Sequence, residues 1–558
     1  MRRRASGILP LLLVALVLTG CVGIPTSGDV TVGQKLEEQD SGDFEFFPLA
    51  PTEGADQEAI LAGFVAAFTG SAEDFKVARQ FLSQSFADEW NPRSGVTVRT
   101  ALQRFSSVDS TTMEYSVTAA ATVDSAGAYR QNGEPVPLTL RFEFVEEDGE
   151  WRIDSAPDGI VLADATFRSI FDTHVLYFLG PADTALVPDL RWFPSGSAAL
   201  RVVSALLAGP PDWLRGAAST AFPEGTKLLA PSVEVQSGVA IVDLSTAALE
   251  ADLEERQLMQ LQLTRSLAAV PNVRRASLSV GGTPLDIAEL GASAPRSNPQ
   301  VDSRAVGLRD DTFGYVSGDE TAPIGPLSER IVATGPRGAT VSIGSFTAAV
   351  LGSEGVSVVR SGDPGTTLLD GRQNLTVPSL DDGHVWSASV SAPDSIRVFD
   401  FAGAFRDLPT GLPADAEIAS IDVSRDGARI AIFASTPAGP RLQVRAINRD
   451  PAANEFPASL SEPVLDVVAA SGVAVDASWV DELSVATLVG DEAEGAVVLY
   501  QVGGERTSLS RIPSATALVG GNGRAGLRAL GESGTILERS GNSWTDTRRA
   551  VGFLATQR

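Results

Sequence analysis

One thiol and two imidazoles, Cys21, His174 and His384, are the only cysteine and histidine side chains in 558 residues. A tetrahedral zinc site takes four nitrogen or sulfur ligands, so this set cannot assemble a His/Cys metal centre. A serine nucleophile would need His174 or His384 as its base, and no Gly-x-Ser-x-Gly elbow accompanies either. His174 opens a strand pattern and His384 sits in a turn between two others, so both read as satisfied structural histidines. Two carboxylates can flank a glycosidic bond. The densest acid runs, Glu146-Glu147-Asp148 and Asp381-Asp382, fall at turns and read as solvated. SGDPG and GGNG carry the glycines of a phosphate loop without its lysine or its strand-to-helix setting, and read as turns. The expectation is no catalytic residue, no metal, no cofactor and no enzymatic activity.

The thiol is different, because its position is informative. Cys21 closes the stretch MRRRASGILPLLLVALVLTGC. Arg2, Arg3 and Arg4 form a basic start, and residues 8–19 an apolar run that is short of the roughly 20 residues a membrane-spanning helix needs. That is the layout of an export signal covering residues 1–20. Leu18-Thr19-Gly20-Cys21 resembles the bacterial lipobox. The resemblance implies cleavage between Gly20 and Cys21 and acylation of the Cys21 thiol, with Cys21 as the new N-terminus. Two or three acyl chains anchor a protein stably where one is marginal. The expected location is therefore the outer face of the cytoplasmic membrane, held through Cys21. A lipidated Cys21 leaves no cysteine for a disulfide.

Loss of the three arginines takes the basic residues from 43 to 40 against 70 acids, a net charge of −30. Such a field repels phosphate backbones and excludes nucleic acid as a partner. It also repels anionic headgroups, so the acyl anchor and no basic patch must hold the membrane.

Residues 21–51 are polar and rich in Gly, Asp and Pro, and read as a flexible tether whose Phe44, Phe46 and Phe47 dock on the body. An N-terminal α+β domain is expected over 52–165. Ile60, Leu61, Phe64, Val65 and Phe68 line one helix face. Ser71 and Asp74 suggest a capping box for a second helix marked by Phe75, Ala78, Phe81, Leu82 and Phe86. Strands follow, with Asp148-Gly149 as a hairpin turn, giving an α+β roll. Residues 170–290 read as strand, strand, helix, two strands, helix and a last strand pair, an α+β sandwich. Residues 291–301 read as a linker. From 300 to 558 short strands alternate with turns and show no convincing helix. Taking Asp311, Ser345, Asp382, Asp426, Asp481 and Asn522 as markers, the spacings are 34, 37, 44, 55 and 41 residues. These suit four-stranded blades and predict an all-β propeller of about six.

The lipobox, then CVGIPTSGDV, PTEGADQEAILAGFVAAF, VARQFLSQSFADEWNP and EDGEWRIDSAPDGIVL resemble the actinobacterial LpqB lipoprotein family. LYFLG, LVPDLRWFP, ALLAGPPDWL and GVAIVDLS resemble the GerMN module of sporulation and germination proteins. The last region resembles that family's propeller. Three lysines against 40 arginines fit a GC-rich genome. The resemblance implies a non-enzymatic accessory regulator that partners the extracytoplasmic domain of an MtrB-type sensor histidine kinase, and so acts on envelope homeostasis and division. The alternative is a lipoprotein that binds wall glycan or a small ligand through its propeller. A ring of aromatics and acids at the propeller mouth would favour the glycan, and an apolar, conformationally paired groove on the middle domain would favour the kinase.

Overall fold

The computed structural model describes residues 48–558 except 71–73, 451, 453–454, 470 and 491–493. Gly20, Cys21, Phe44, Phe46, Phe47 and Ser71 lie outside the described residues, as does the tether up to residue 47.

The first module folds from a capped helix and a sheet. Asp56 accepts the Ala59 amide at 2.8 Å and starts helix Gln57–Ala66. Ile60, Leu61 and Phe64 on that helix, and Phe68 in the turn after it, are buried against the sheet with Trp90. The sheet runs Glu150–Ser155, Tyr129–Glu147, Thr112–Asp124, Gly95–Ser107, Ile160–Ala163. Its first four strands are antiparallel and the last pairs in parallel with Gly95–Ser107. Asp148 and Gly149 have φ of 53° and 83°, the left-handed pair that a two-residue hairpin demands.

The second helix expected here shrinks to a single turn, Lys76–Arg79. Asp74 and Phe75 both have φ of 59°, which rules out a capped helical entry at that point. The chain after Arg79 instead docks on Glu150–Ser155. The Ile153 amide donates to Phe81 O at 2.9 Å and the Ser83 amide donates to Ile153 O at 2.8 Å. Phe75, Ala78, Phe81 and Leu82 are all buried. Their spacing therefore marked burial, and not a helix.

The middle module follows its expected order. Phe171–Leu179 and Leu186–Pro194 form an antiparallel pair. Helix Ala198–Leu207 buries Val202, Val203 and Leu206. Helix Leu253–Ser266 begins with a capping box between Asp252 and Glu255. Both helices share a core with a four-stranded sheet, Thr283–Pro284, Arg275–Val280, Val239–Leu244, Glu234–Gln236.

The third module is a six-bladed propeller, counted over the described residues. Blades begin at Gly338, Ser379, Glu417, Val473 and Ala515, four-stranded except that those from Glu417 and Val473 carry a fifth short strand. The remaining blade is built differently. Its strands Ala305–Arg309, Thr312–Ser317 and Glu320–Pro323 take their innermost partner from Phe553–Gln557, which also pairs in parallel with Gly338–Val341. Late strand thus clasps early blade and closes the ring, removing a sheet edge. Asp311 consequently lies one strand further out than the other five markers. A helix not expected from the sequence, Leu327–Ala333, tucks Leu327 and Ile331 into the core after the first blade.

The segment 291–301, expected to be a linker, is docked at its middle and its end. Arg296 bridges to Ala185, with the Leu186 amide donating to Arg296 O at 2.9 Å. The Val301 amide donates to Asn522 Oδ1 at 2.8 Å.

Candidate functional site

The three modules meet around Trp192. Its ring centroid lies 5.1 Å from Tyr129 and 5.2 Å from Phe167, both in the first module. Its indole Nε1 donates to Gly503 O of the propeller at 3.0 Å. Other contacts widen the junction. The Tyr177 hydroxyl donates to Glu482 Oε1 at 2.8 Å, and Arg168 pairs with Glu505 at 2.6 Å. Val187, Leu214 and Ala217 bury against Ala428 and Ala446. The described residues belong to one compact unit, and these contacts seat the middle module on one face of the propeller.

That covered face holds the densest charge network. Asp381, expected to be a solvated turn acid, is buried, whereas Asp382 beside it is exposed and reaches Arg296 at 3.1 Å. Asp381 Oδ1 accepts the amides of Gly383 at 2.9 Å and His384 at 2.7 Å, and His384 Nδ1 at 3.0 Å. Oδ2 accepts Trp386 Nε1 at 3.1 Å and Arg449 at 2.8 Å. Burial pushes the Asp381 carboxyl up. The His384 hydrogen bond and the neighbouring Arg449 and His384 outweigh it and hold the group well below the usual carboxylate range. An ionised carboxylate only accepts, so His384 keeps its proton on Nδ1. Asp381, His384, Arg425, Arg449 and Glu455 line a cavity of about 460 Å³ beneath residues 181–184 of the middle module.

A His–Asp pair at a cavity is half of an acid–base site, and the other half is not assembled. Among the described residues no serine, threonine or cysteine hydrogen-bonds to His384. His384 opens strand His384–Ser389 with its ring edge-on to Phe456, 4.9 Å away, and serves the packing of two blades. The propeller axis is closed at this end. Arg558 crosses it from the clasping strand, its Nε donating to Asp422 Oδ1 at 2.8 Å, and Asp422 Oδ2 also accepts Ser478 Oγ and the Trp479 amide.

His174 is buried as expected of a structural histidine, but neither ring nitrogen finds a hydrogen-bond partner. Desolvation pushes its pKa down, so the ring is neutral and stacks near Phe193. Glu146 and Asp148 are exposed as expected for a hairpin end. Among the described residues no cluster of three or more His, Cys, Asp or Glu could hold a metal ion, and no helix is long and apolar enough to cross a membrane. The seven Trp and five Tyr are all buried or half-buried.

The roles of Asp381 and Trp192 differ from what their sequence setting suggests. A signal existed for the first. Asp381 and Asp481 each accept the amides two and three residues on, and Asp426 accepts the amide two on, so the blade repeat is a repeated Asx-turn. The marker for the third blade belonged on Asp381, one residue before Asp382.

Comparison with known proteins agrees with this order of modules. Family models match at residues 50–168 (lipoprotein LpqB, N-terminal domain), 175–286 (sporulation and spore germination) and 312–553 (lipoprotein LpqB β-propeller domain). Lipoprotein LpqB of Cutibacterium acnes is 31% identical over 49% of this chain and 46% of that protein, so the match spans about half its length. Lipoprotein LpqB of Streptomyces avermitilis is 27% identical over 95% of this chain and 94% of that protein. The first GerMN domain of the sporulation protein GerM from Bacillus subtilis shares 21% identity, covering 23% of this chain and 94% of that one, with a TM-score of 0.18, too low to argue from. Models of one lipoprotein family flank the germination module in chain order, and full-length relatives carry the same name: the chain belongs to the LpqB lipoprotein family.

Proposed function

We propose that this lipoprotein is a non-enzymatic accessory regulator, anchored through Cys21 on the outer face of the cytoplasmic membrane, that binds the extracytoplasmic domain of an MtrB-type sensor histidine kinase. The observation that carries the reading is a set of three exposed leucines on the middle module. Leu229, Leu249 and Leu253 are 53%, 46% and 66% exposed. Backbone bonds tie the Leu229 segment to the end of strand Val239–Leu244, with the Ser245 amide donating to Lys227 O at 2.8 Å and the Leu229 amide donating to Asp243 O at 2.9 Å. Full burial of a leucine contributes roughly 1.5–3 kcal/mol, so three suffice to anchor a modest contact. Confinement of both partners to one membrane raises their effective concentration and makes a modest contact enough.

The glycan alternative has less support. Carbohydrate platforms favour exposed Trp and Tyr faces, and the exposed aromatics among the described residues of the propeller are instead Phe346 and Phe405. The small-ligand form of that alternative keeps the cavity at Asp381.

The test is binding of residues 22–558 to the purified extracytoplasmic domain of the cognate kinase. Saturable binding weakened about tenfold or more by Leu249→Ser with Leu253→Ser supports the reading. Absence of binding with both partners in one bilayer refutes it.

A further inference from the structure

A second cavity, of about 360 Å³, lies between the first and middle modules and is lined by residues of those two alone. Its size falls in the range of small-molecule sites, which favour domain junctions. Phe75, Phe171, Phe193 and Leu200 supply apolar walls, and Arg93 and Arg201 supply charge. The lining carboxylate, Asp124, is already engaged: Oδ1 accepts the amides of Ala126 and Ala128, both at 2.9 Å. Arg93 pairs with Asp74 at 3.0 Å. Arg201 is half-buried and makes no hydrogen bond or ion pair among the described residues. Burial and the nearby Arg93 push its guanidinium pKa down, as for a cation short of a counter-ion. In a chain of net charge −27 an unpaired arginine on an apolar cavity calls for an anion that also carries hydrocarbon.

We propose that this cavity binds a single-chain anionic amphiphile, with its hydrocarbon against the phenylalanine walls and its carboxylate or phosphate head on Arg201. Helix Ala198–Leu207 supplies both Leu200 and Arg201, so tail and head contacts come from one rigid element. Gly196, just before that helix, lines the cavity and is exposed, and a Cβ built there meets nothing within 4 Å. The opening therefore lies on this side. The site is independent of the kinase reading.

The experiment uses residues 22–558 without lipid, which contain the whole compact unit and all of its cores. Laurate, dodecyl phosphate and dodecanol are titrated by calorimetry, with stoichiometry from native mass spectrometry. One molecule of an anionic probe per chain is expected. Dodecanol should bind about tenfold or more weakly, and Arg201→Ala should weaken the anionic probes by a similar factor. Preference for laurate assigns a free fatty acid, and preference for dodecyl phosphate a lipid phosphate. Gly196→Phe should block binding without lowering Tm. If it does lower Tm, Arg201→Gln decides alone. Unsaturable binding, equal binding of dodecanol, or binding indifferent to the Arg201 variants would overturn the proposal.

Discussion

Replacing Asp381 by asparagine should damage the propeller almost as much as replacing it by alanine. All five contacts of this carboxylate are donors: two amides, His384 Nδ1, Trp386 Nε1 and Arg449. Asparagine keeps the shape but turns one acceptor into an NH₂, which must then face Trp386 and Arg449 or the turn amides. Either orientation sets donor against donor. Breaking a buried ion pair by removing one partner costs about 3–5 kcal/mol. Arg449 retains the carbonyls of Gly427 at 2.7 Å and Glu455 at 3.1 Å, which softens the loss to about 2–4 kcal/mol. At roughly 2–4 °C per kcal/mol for a domain of this size, the propeller transition should fall by about 5–15 °C. Scanning calorimetry at neutral pH is the assay. The sign of the pH effect follows from a folded carboxyl held below its unfolded value. Its stabilisation is present above the ordinary carboxylate pKa of about 3.9 and is lost as pH falls through the lower folded value, so wild type and variant should converge in acid. A normal Tm for Asp381→Asn beside a low one for Asp381→Ala would refute the all-donor hub.

Burial pushes the Asp476 carboxyl up to about 6 against hydrogen bonds from the Leu518 and Ala477 amides. The wild-type chain should therefore lose about 1–3 kcal/mol as pH climbs from about 4 through about 6. Asp476→Asn, with its carbonyl on the Leu518 amide and its NH₂ toward Ser420, should abolish that slope in urea titrations across pH. At Gly503, φ is +76° and a Cβ would lie 2.8 Å from Leu190 O, so Gly503→Ala should prise the propeller from the middle module. Faster hydrogen exchange at the junction, with little change inside the blades, is the expected signature. Trp192→Phe removes the bond to Gly503 while keeping most of the ring packing, and should loosen the same junction by about 1 kcal/mol in the same measurement.

Local periodicity made most elements legible. The helix through Ile60 and Phe64, the Asp148-Gly149 hairpin, the alternation of strands and helices in the middle module and the blade turns all depend on neighbours in sequence. What failed depends on distant partners. Nothing local in Phe553–Gln557 says that it becomes the innermost strand of the first blade, which displaced the Asp311 marker by one strand. Phe75, Ala78 and Leu82 keep helical spacing because they face one core, yet Ile153 takes up the backbone that a helix would have used. Asp381 and Asp382 are indistinguishable as letters, and only the donors around the first set them apart. Trp192 reads as strand core, and its role at three modules needs all three to be placed. The Cys21 expectation rests on residues 1–21 alone, which lie outside the described residues.

Regulation of a kinase is measured directly as autophosphorylation of the cognate full-length kinase in a bilayer that also holds the lipidated chain. A regulator must bind one kinase state better than another, or it shifts nothing. The autophosphorylation rate should change, saturate with the amount of lipoprotein and lose this response with Leu249→Ser and Leu253→Ser together. An unchanged rate at saturating, co-anchored lipoprotein would contradict it.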